Sequence, residues 1–221
     1  MGRTASADSI PPSVRWYRAS AEQRAIYLQT YRLATAALER RAAGLASGSW
    51  AVILDADETV LDNSPYQQDV SRRRAVFDSA TWNAWVRRSA ARALPGAPEF
   101  TRRAHDLGGR VVIVTNRDDA LCEATRANLQ RVAIAADAVL CKTDPSNSYK
   151  DVRFEAVAAG TPPSTLPPLR VVMWVGDNIQ DFPRLRQDIR TASDSAFAEF
   201  GDRFIVLPNP MYGSWERNVL P

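Results

Sequence analysis

Asp55 and Asp57 stand two residues apart in the string Asp55-Ala56-Asp57-Glu58-Thr59-Val60-Leu61-Asp62-Asn63, directly after the apolar run Trp50-Ala51-Val52-Ile53-Leu54. A carboxylate can attack phosphorus when a cation neutralises the electrophile, and a second acid two residues on can protonate the departing oxygen and later activate water. The spacing therefore assigns the nucleophile to Asp55 and the acid–base work to Asp57. A further acidic cluster, Gly176-Asp177-Asn178 with Asp181 close behind, follows the apolar run Val171 to Val175. Magnesium prefers oxygen ligands, usually one or two carboxylates with waters and a phosphate oxygen, and Asp177 would complete such a set. Thr115 and Asn116 offer a hydroxyl, an amide and backbone donors to a phosphate, and a lysine would neutralise the charge shared between nucleophile and phosphoryl group. Lys150 and Lys142 both compete for that role.

Composition closes several alternatives. His105 is the single histidine, which argues against histidine-based phosphate chemistry and against zinc sites built from two or three imidazoles. Cys122 and Cys141 fit neither a C-x5-R thiolate loop nor a C-x-x-C pair. Each reads as a buried small apolar residue, although two cysteines permit one disulfide. The net charge is +3, with no dense basic block interleaved with aromatics, so a nucleic-acid polymer is not the expected partner. No apolar run approaches the ~20 residues of a membrane span. Met1 to Pro12 lacks the basic start and apolar centre of a secretory signal; the chain is expected either to act in the cytoplasm or to have lost an export segment.

These residues need elements to hold them. Ser13 to Ala46 has no proline and places Trp16, Tyr17, Ala19, Ile26, Tyr27, Tyr31, Leu33 and Leu38 mostly at helical spacing, predicting one long amphipathic helix or two with a bend. Continuous apolar runs at Trp50–Leu54, Arg110–Thr115 and Arg170–Val175, with a weaker one at Ala136–Leu140, read as parallel strands covered on both faces. Helical segments near 99–107, 120–132, 149–159 and 182–190 separate them. The alternation predicts an α/β fold, a doubly wound parallel sheet with a small, mostly helical cap. Its ligand should lie at the carboxyl ends of the strands, where the polar clusters converge. Residues 1–12 are expected to be flexible and 13–221 to form one domain. Its core would span about 49–63 and 97–207; its cap would come from 13–48, 64–96 and the tail 208–221.

The strings DADETVLDNSPY from Asp55, VTNR from Val114, KDVRF from Lys150 and GDNIQDF from Gly176 together resemble the phosphatases of the haloacid dehalogenase (HAD) superfamily. The fit is best to the class C acid phosphatases, a group that includes bacterial outer-membrane lipoprotein acid phosphatases and 5'-nucleotidases. The resemblance implies a phosphoric monoester hydrolase with a phosphoaspartate intermediate on Asp55, and it favours Lys150 over Lys142. It implies a magnesium site from Asp55, Asp177 and the backbone carbonyl of Asp57, supported by Asp181. It also implies a nucleotide-like small-molecule phosphomonoester as substrate, with Trp82 and Tyr212, and more weakly Tyr66, stacking on its ring. A periplasmic or cell-envelope address is likewise implied by resemblance alone. The apolar faces of the N-terminal helix would serve cap packing or a homodimer. The competing reading is a HAD-fold binding or storage protein that has lost turnover; its expected mark, loss of the nucleophile, is absent at Asp55.

Overall fold

The computed structural model describes residues 10–219, so most of the expected flexible start, residues 1–9, lies outside the described residues. Helices α1 (Pro12–Ala19) and α2 (Ala21–Ala42) part at Ser20. There an extended backbone and a side-chain oxygen, accepting from the Gln23 amide at 3.0 Å, cap the second helix. The expectation of two helices with a bend thus holds. Strand β1 (Trp50–Leu54) follows, then a short β2 (Leu61–Asp62), helices α3 (Ser64–Arg72) and α4 (Ser79–Arg87), and β3 (Arg92–Ala93). Next come α5 (Ala97–Asp106), β4 (Arg110–Asp118), α6 (Cys122–Arg131), β5 (Ala138–Lys142), α7 (Asp151–Ala159), β6 (Arg170–Gly176) and β7 (Phe204–Val206).

The sheet order is β5-β4-β1-β6-β7, with every pairing parallel. The chain winds from β1 out through β4 to β5, then crosses back to β6 and β7, so the order reverses around β1 and opens a crevice at the strands' carboxyl ends. Side-chain alternation explains why β1 is apolar throughout. Trp50, Val52 and Leu54 enter one core with α2, α5 and Leu129 of α6, while Ala51 and Ile53 enter the other with Phe154 and Val157 of α7. Buried Tyr27, Tyr31, Ala34, Ala37 and Leu38 seat α2 on the sheet. The expected assignment of 13–48 to a cap therefore does not describe α2.

Residues 64–93 leave the sheet. Helix α3 packs on α1 and α4 packs near α6, and β2 pairs antiparallel with β3 at the base of the excursion. Two local expectations are corrected. No α-helix forms at 182–190: Phe182 is extended (φ −112°, ψ 141°) ahead of Pro183, whose ring disfavours helical backbone at the preceding residue, and short 3-10 helices lie before the stretch at Ile179–Asp181 and within its end at Gln187–Thr191. Cys122 and Cys141 are not free apolar fillers but a disulfide. Helix α6 crosses beside β5 and brings their Cα atoms to 5.8 Å, a proximity set by packing that sequence spacing does not disclose.

Candidate active site

The carboxyl ends of β1, β4 and β6 open into a cavity of about 600 Å³ lined by Asp55, Asp57, Asn116, Arg117, Lys150, Asp177, Asp181, Phe77, Trp82, Met211 and Tyr212, among others. Asp55 follows β1 directly and is buried; its amide donates to the Val175 carbonyl at 3.0 Å, continuing the ladder and fixing the carboxylate at the strand's end. Lys150, also buried, ion-pairs with Asp55 and reaches Asp181 Oδ1 at 2.7 Å. Lys142 pairs instead with Asp118 at 3.2 Å. Burial pushes the Asp55 carboxyl up to about 7 despite Lys150, with the charges of Asp181 and Asp57 adding to the rise. Burial alone would lower the Lys150 ammonium, but Asp181 and Asp55 outweigh it and hold the lysine above its ordinary value.

Asp55, Asp177 and Asp181 bring carboxylate oxygens within 4.8 Å of one another. Withdrawal from water, with the Asp181 and Asp55 charges, raises Asp177 well above the usual carboxylate range. Crowded acids of this kind are relieved by a cation, and an all-oxygen donor set suits a hard divalent ion. Asp177 is held on one oxygen by the Thr59 hydroxyl (3.2 Å) and on the other by the Asn209 amide (2.8 Å). Asp181 spends Oδ2 on the Asn178 backbone amide at 2.9 Å. Its closeness to β6 requires Gly176, where any Cβ would sit 2.3 Å from the Asp181 side chain.

Asp57 carries a different set of partners. Arg117 Nη2 and Asn63 Nδ2 each donate to its Oδ1 at 2.7 Å, and Arg117 Nε adds contacts of 3.0 and 3.3 Å. Glu58, next in the chain, is fully buried with φ 52°, a left-handed backbone that costs a non-glycine residue about 1–3 kcal/mol. Asn63 N (2.7 Å) and the Tyr212 hydroxyl hold its carboxylate, and the Tyr27 hydroxyl (2.6 Å) holds its carbonyl. Burial, then the Asp57 and Asp177 charges, raise this carboxyl well above its ordinary value.

Not all expected ligand-binding residues reach the cavity. Thr115 is fully buried behind the wall, its hydroxyl accepting from the Arg117 amide at 3.2 Å. Asn116 lines the cavity, clamped by Arg153 at 2.5 Å and donating to the Ser148 carbonyl at 2.8 Å. Trp82 and Tyr212 line it; Tyr66 does not, packing edge-on behind Trp82 at 5.2 Å with its hydroxyl near Thr81. Sequence reasoning assigned no role to Arg117, Asn63, Glu58, Arg153, Asn209 or Phe77. Arg117 carried a usable signal, since it ends the polar cluster Thr115-Asn116-Arg117 after a strand; nothing local marks Asn209.

The model of the HAD superfamily, subfamily IIIB (Acid phosphatase), matches residues 4–215. The chain belongs to that subfamily. Subfamily IIIB membership agrees with likeness to the class C acid phosphatase of Bacillus anthracis, at TM-score 0.81 and 32% identity over 92% of this chain and 85% of that one. A structure of the Bacillus anthracis class C enzyme with tungstate bound matches at 0.80 and 31% over the same shares. Acid phosphatase 1 of Solanum lycopersicum is 34% identical over 72% of this chain and 57% of its own length. The stem 31 kDa glycoprotein of Glycine max is 28% identical over 72% and 58%. The chain thus spans less than two thirds of the length of these two curated relatives. Among the described residues, no helix is long and apolar enough to cross a membrane.

Proposed function

We propose that the chain is a magnesium-dependent acid phosphatase, hydrolysing phosphomonoesters through a phosphoaspartate on Asp55, with nucleoside 5'-monophosphates and aryl phosphates as substrates. The observation that carries this is the meeting of a buried Asp55 with Lys150, Asp177 and Asp181 at one cavity floor. An Asp55 oxygen forms the new bond to phosphorus as the bond to the leaving oxygen breaks, and Asp57 supplies that oxygen with a proton. Asp57 then takes a proton from water as the water oxygen bonds phosphorus and Asp55 leaves. Lys150 balances charge on the nucleophile, and Asn116, near the end of β4 and braced by Arg153, faces the transferred group with Thr115 behind it. The carboxylates of Asp55 and Asp177 with the Asp57 carbonyl would hold magnesium, with Asp181 behind them; when bound, the ion supplies charge neutralisation for the phosphoryl oxygens. Trp82, Phe77 and Tyr212 offer aromatic faces to a base or aryl ring. The tungstate bound by the Bacillus anthracis enzyme supports a site for a tetrahedral oxyanion, and the Cys122–Cys141 disulfide supports an oxidising compartment such as the periplasm or cell envelope.

The test is phosphate release from AMP and p-nitrophenyl phosphate at mildly acidic pH, with magnesium or EDTA, for the parent and Asp55→Asn. The expected result is release that needs the metal and disappears in Asp55→Asn. No release from either substrate would overturn the reading in favour of a silent binding protein.

A further inference from the structure

The partners of Asp57 divide its two oxygens unequally. Oδ1 receives Arg117 Nη2 and Asn63 Nδ2, both at 2.7 Å, and Arg117 Nε at 3.0 Å; among the described residues Oδ2 receives only Nε, at 3.3 Å. Three donors exhaust the lone pairs of Oδ1, so a proton carried by this carboxyl belongs on Oδ2. The donors are themselves fixed. The Asn63 carbonyl oxygen accepts from the Trp85 indole at 2.9 Å and from Arg117 Nη2 at 3.3 Å, which forces its NH₂ towards Asp57. Arg117 Nη1 donates to the Thr125 hydroxyl on α6 at 3.3 Å, and the guanidinium carbon lies 5.7 Å from the Trp82 ring centroid. The Arg117 side chain is only 1% exposed. A guanidinium buried this deeply, with its fork on one carboxylate, has been placed there for geometry rather than solvation.

We propose that Arg117, with Asn63, is a positioning residue that selects Oδ2 of Asp57 as the proton-carrying atom and aims it at the leaving oxygen. The inference rests on the phosphatase reading. In the first step the proton on Oδ2 passes to the leaving oxygen as its bond to phosphorus breaks, and the negative charge left on Asp57 is taken up by Arg117. In the second step water returns a proton to the same Oδ2 while its oxygen bonds phosphorus and Asp55 is released.

A positioning role predicts a dependence on leaving group that a structural role does not. Esters of one shape and graded leaving-group basicity, from p-nitrophenyl through phenyl to benzyl phosphate, are compared by kcat/KM, which reports the step that breaks the ester bond. In Arg117→Ala, kcat/KM should fall less than about 10-fold for p-nitrophenyl phosphate, whose anion leaves unaided. For benzyl phosphate it should fall about 10²–10³-fold, the usual contribution of a placed general acid. Asp57→Asn should steepen the dependence likewise. Should Arg117→Ala fail to fold by circular dichroism, Arg117→Lys carries the test: it keeps the charge, loses the fork, and should show an intermediate slope. Equal losses across the esters in the folded variant would overturn the proposal and leave Arg117 a brace. A parent that turns over none of the esters would overturn the phosphatase reading and this inference with it.

Discussion

Lys150 separates Asp55 from Asp181, two acids that would otherwise face each other in a site nearly closed to water. Removing one member of such a buried set leaves its partners uncompensated, at about 3–5 kcal/mol. In a domain of this size that is a fall in melting temperature of about 10 °C. Lys150→Met is expected to show such a fall in EDTA and to recover much of it in millimolar magnesium, because a cation among the same oxygens replaces the missing charge; thermal melts in the two buffers check this. A melt unchanged in EDTA would mean that the ammonium carries little of the cluster's charge balance. The proposed reacting acids were legible because they stand within three residues of the end of an apolar run, a placement sequence displays. Asn63 and Asn209 were not, and the place of Arg117 in a polar cluster did not disclose its partner, because the three act on side chains 6, 32 and 60 residues away through contacts that only packing creates.

Helix α2 supports the Asp57-Glu58-Thr59 loop with phenols. Tyr27 donates to the Glu58 carbonyl at 2.6 Å, Tyr31 to the Thr59 carbonyl at 2.8 Å, and Tyr17 of α1 meets the Tyr27 hydroxyl at 2.6 Å. Burial, joined by neighbouring acids, raises all three well above the ordinary phenol value. A folded-state pKa raised in this way gives a contribution to stability that is complete below the unfolded value, about 10, and is lost as pH climbs from there towards the folded value. Denaturant unfolding between pH 8 and 11 should show stability falling above pH 10, and Tyr31→Phe should flatten that limb. At neutral pH the same variant should be less stable by about 1–3 kcal/mol, with the Thr59 carbonyl left unsatisfied. Helix α2 itself could be read from its spacing, yet not its seat: Ile26 and Leu33, apolar in sequence, stay exposed, while small Ala34 and Ala37 allow close approach to the sheet. Strand β7 was also missed, since three residues with Val206 exposed present too short a pattern.

At the scale of the whole molecule, the disulfide is a covalent tie between separate elements, joining α6 to β5 over a sequence separation of 19. Closing a loop of that size restricts the unfolded chain by about 3 kcal/mol. Cys122→Ser with Cys141→Ser should lower unfolding free energy by that order, as should dithiothreitol on the parent, and denaturant titration would reveal either. Other ties run between segments far apart in sequence. The Asp57-Glu58-Thr59 turn is held from one side by Tyr27 and Tyr31, and from the other by the tail, where Tyr212 reaches Glu58, Asn209 reaches Asp177, and Ser214 reaches Asn178 at 2.8 Å. A chain emerging from the ribosome would therefore carry every proposed reacting side chain, through Asp181, before Asn209, Tyr212 and Ser214 had been made. Residues 209–214 are thus a latch made after the side chains they hold.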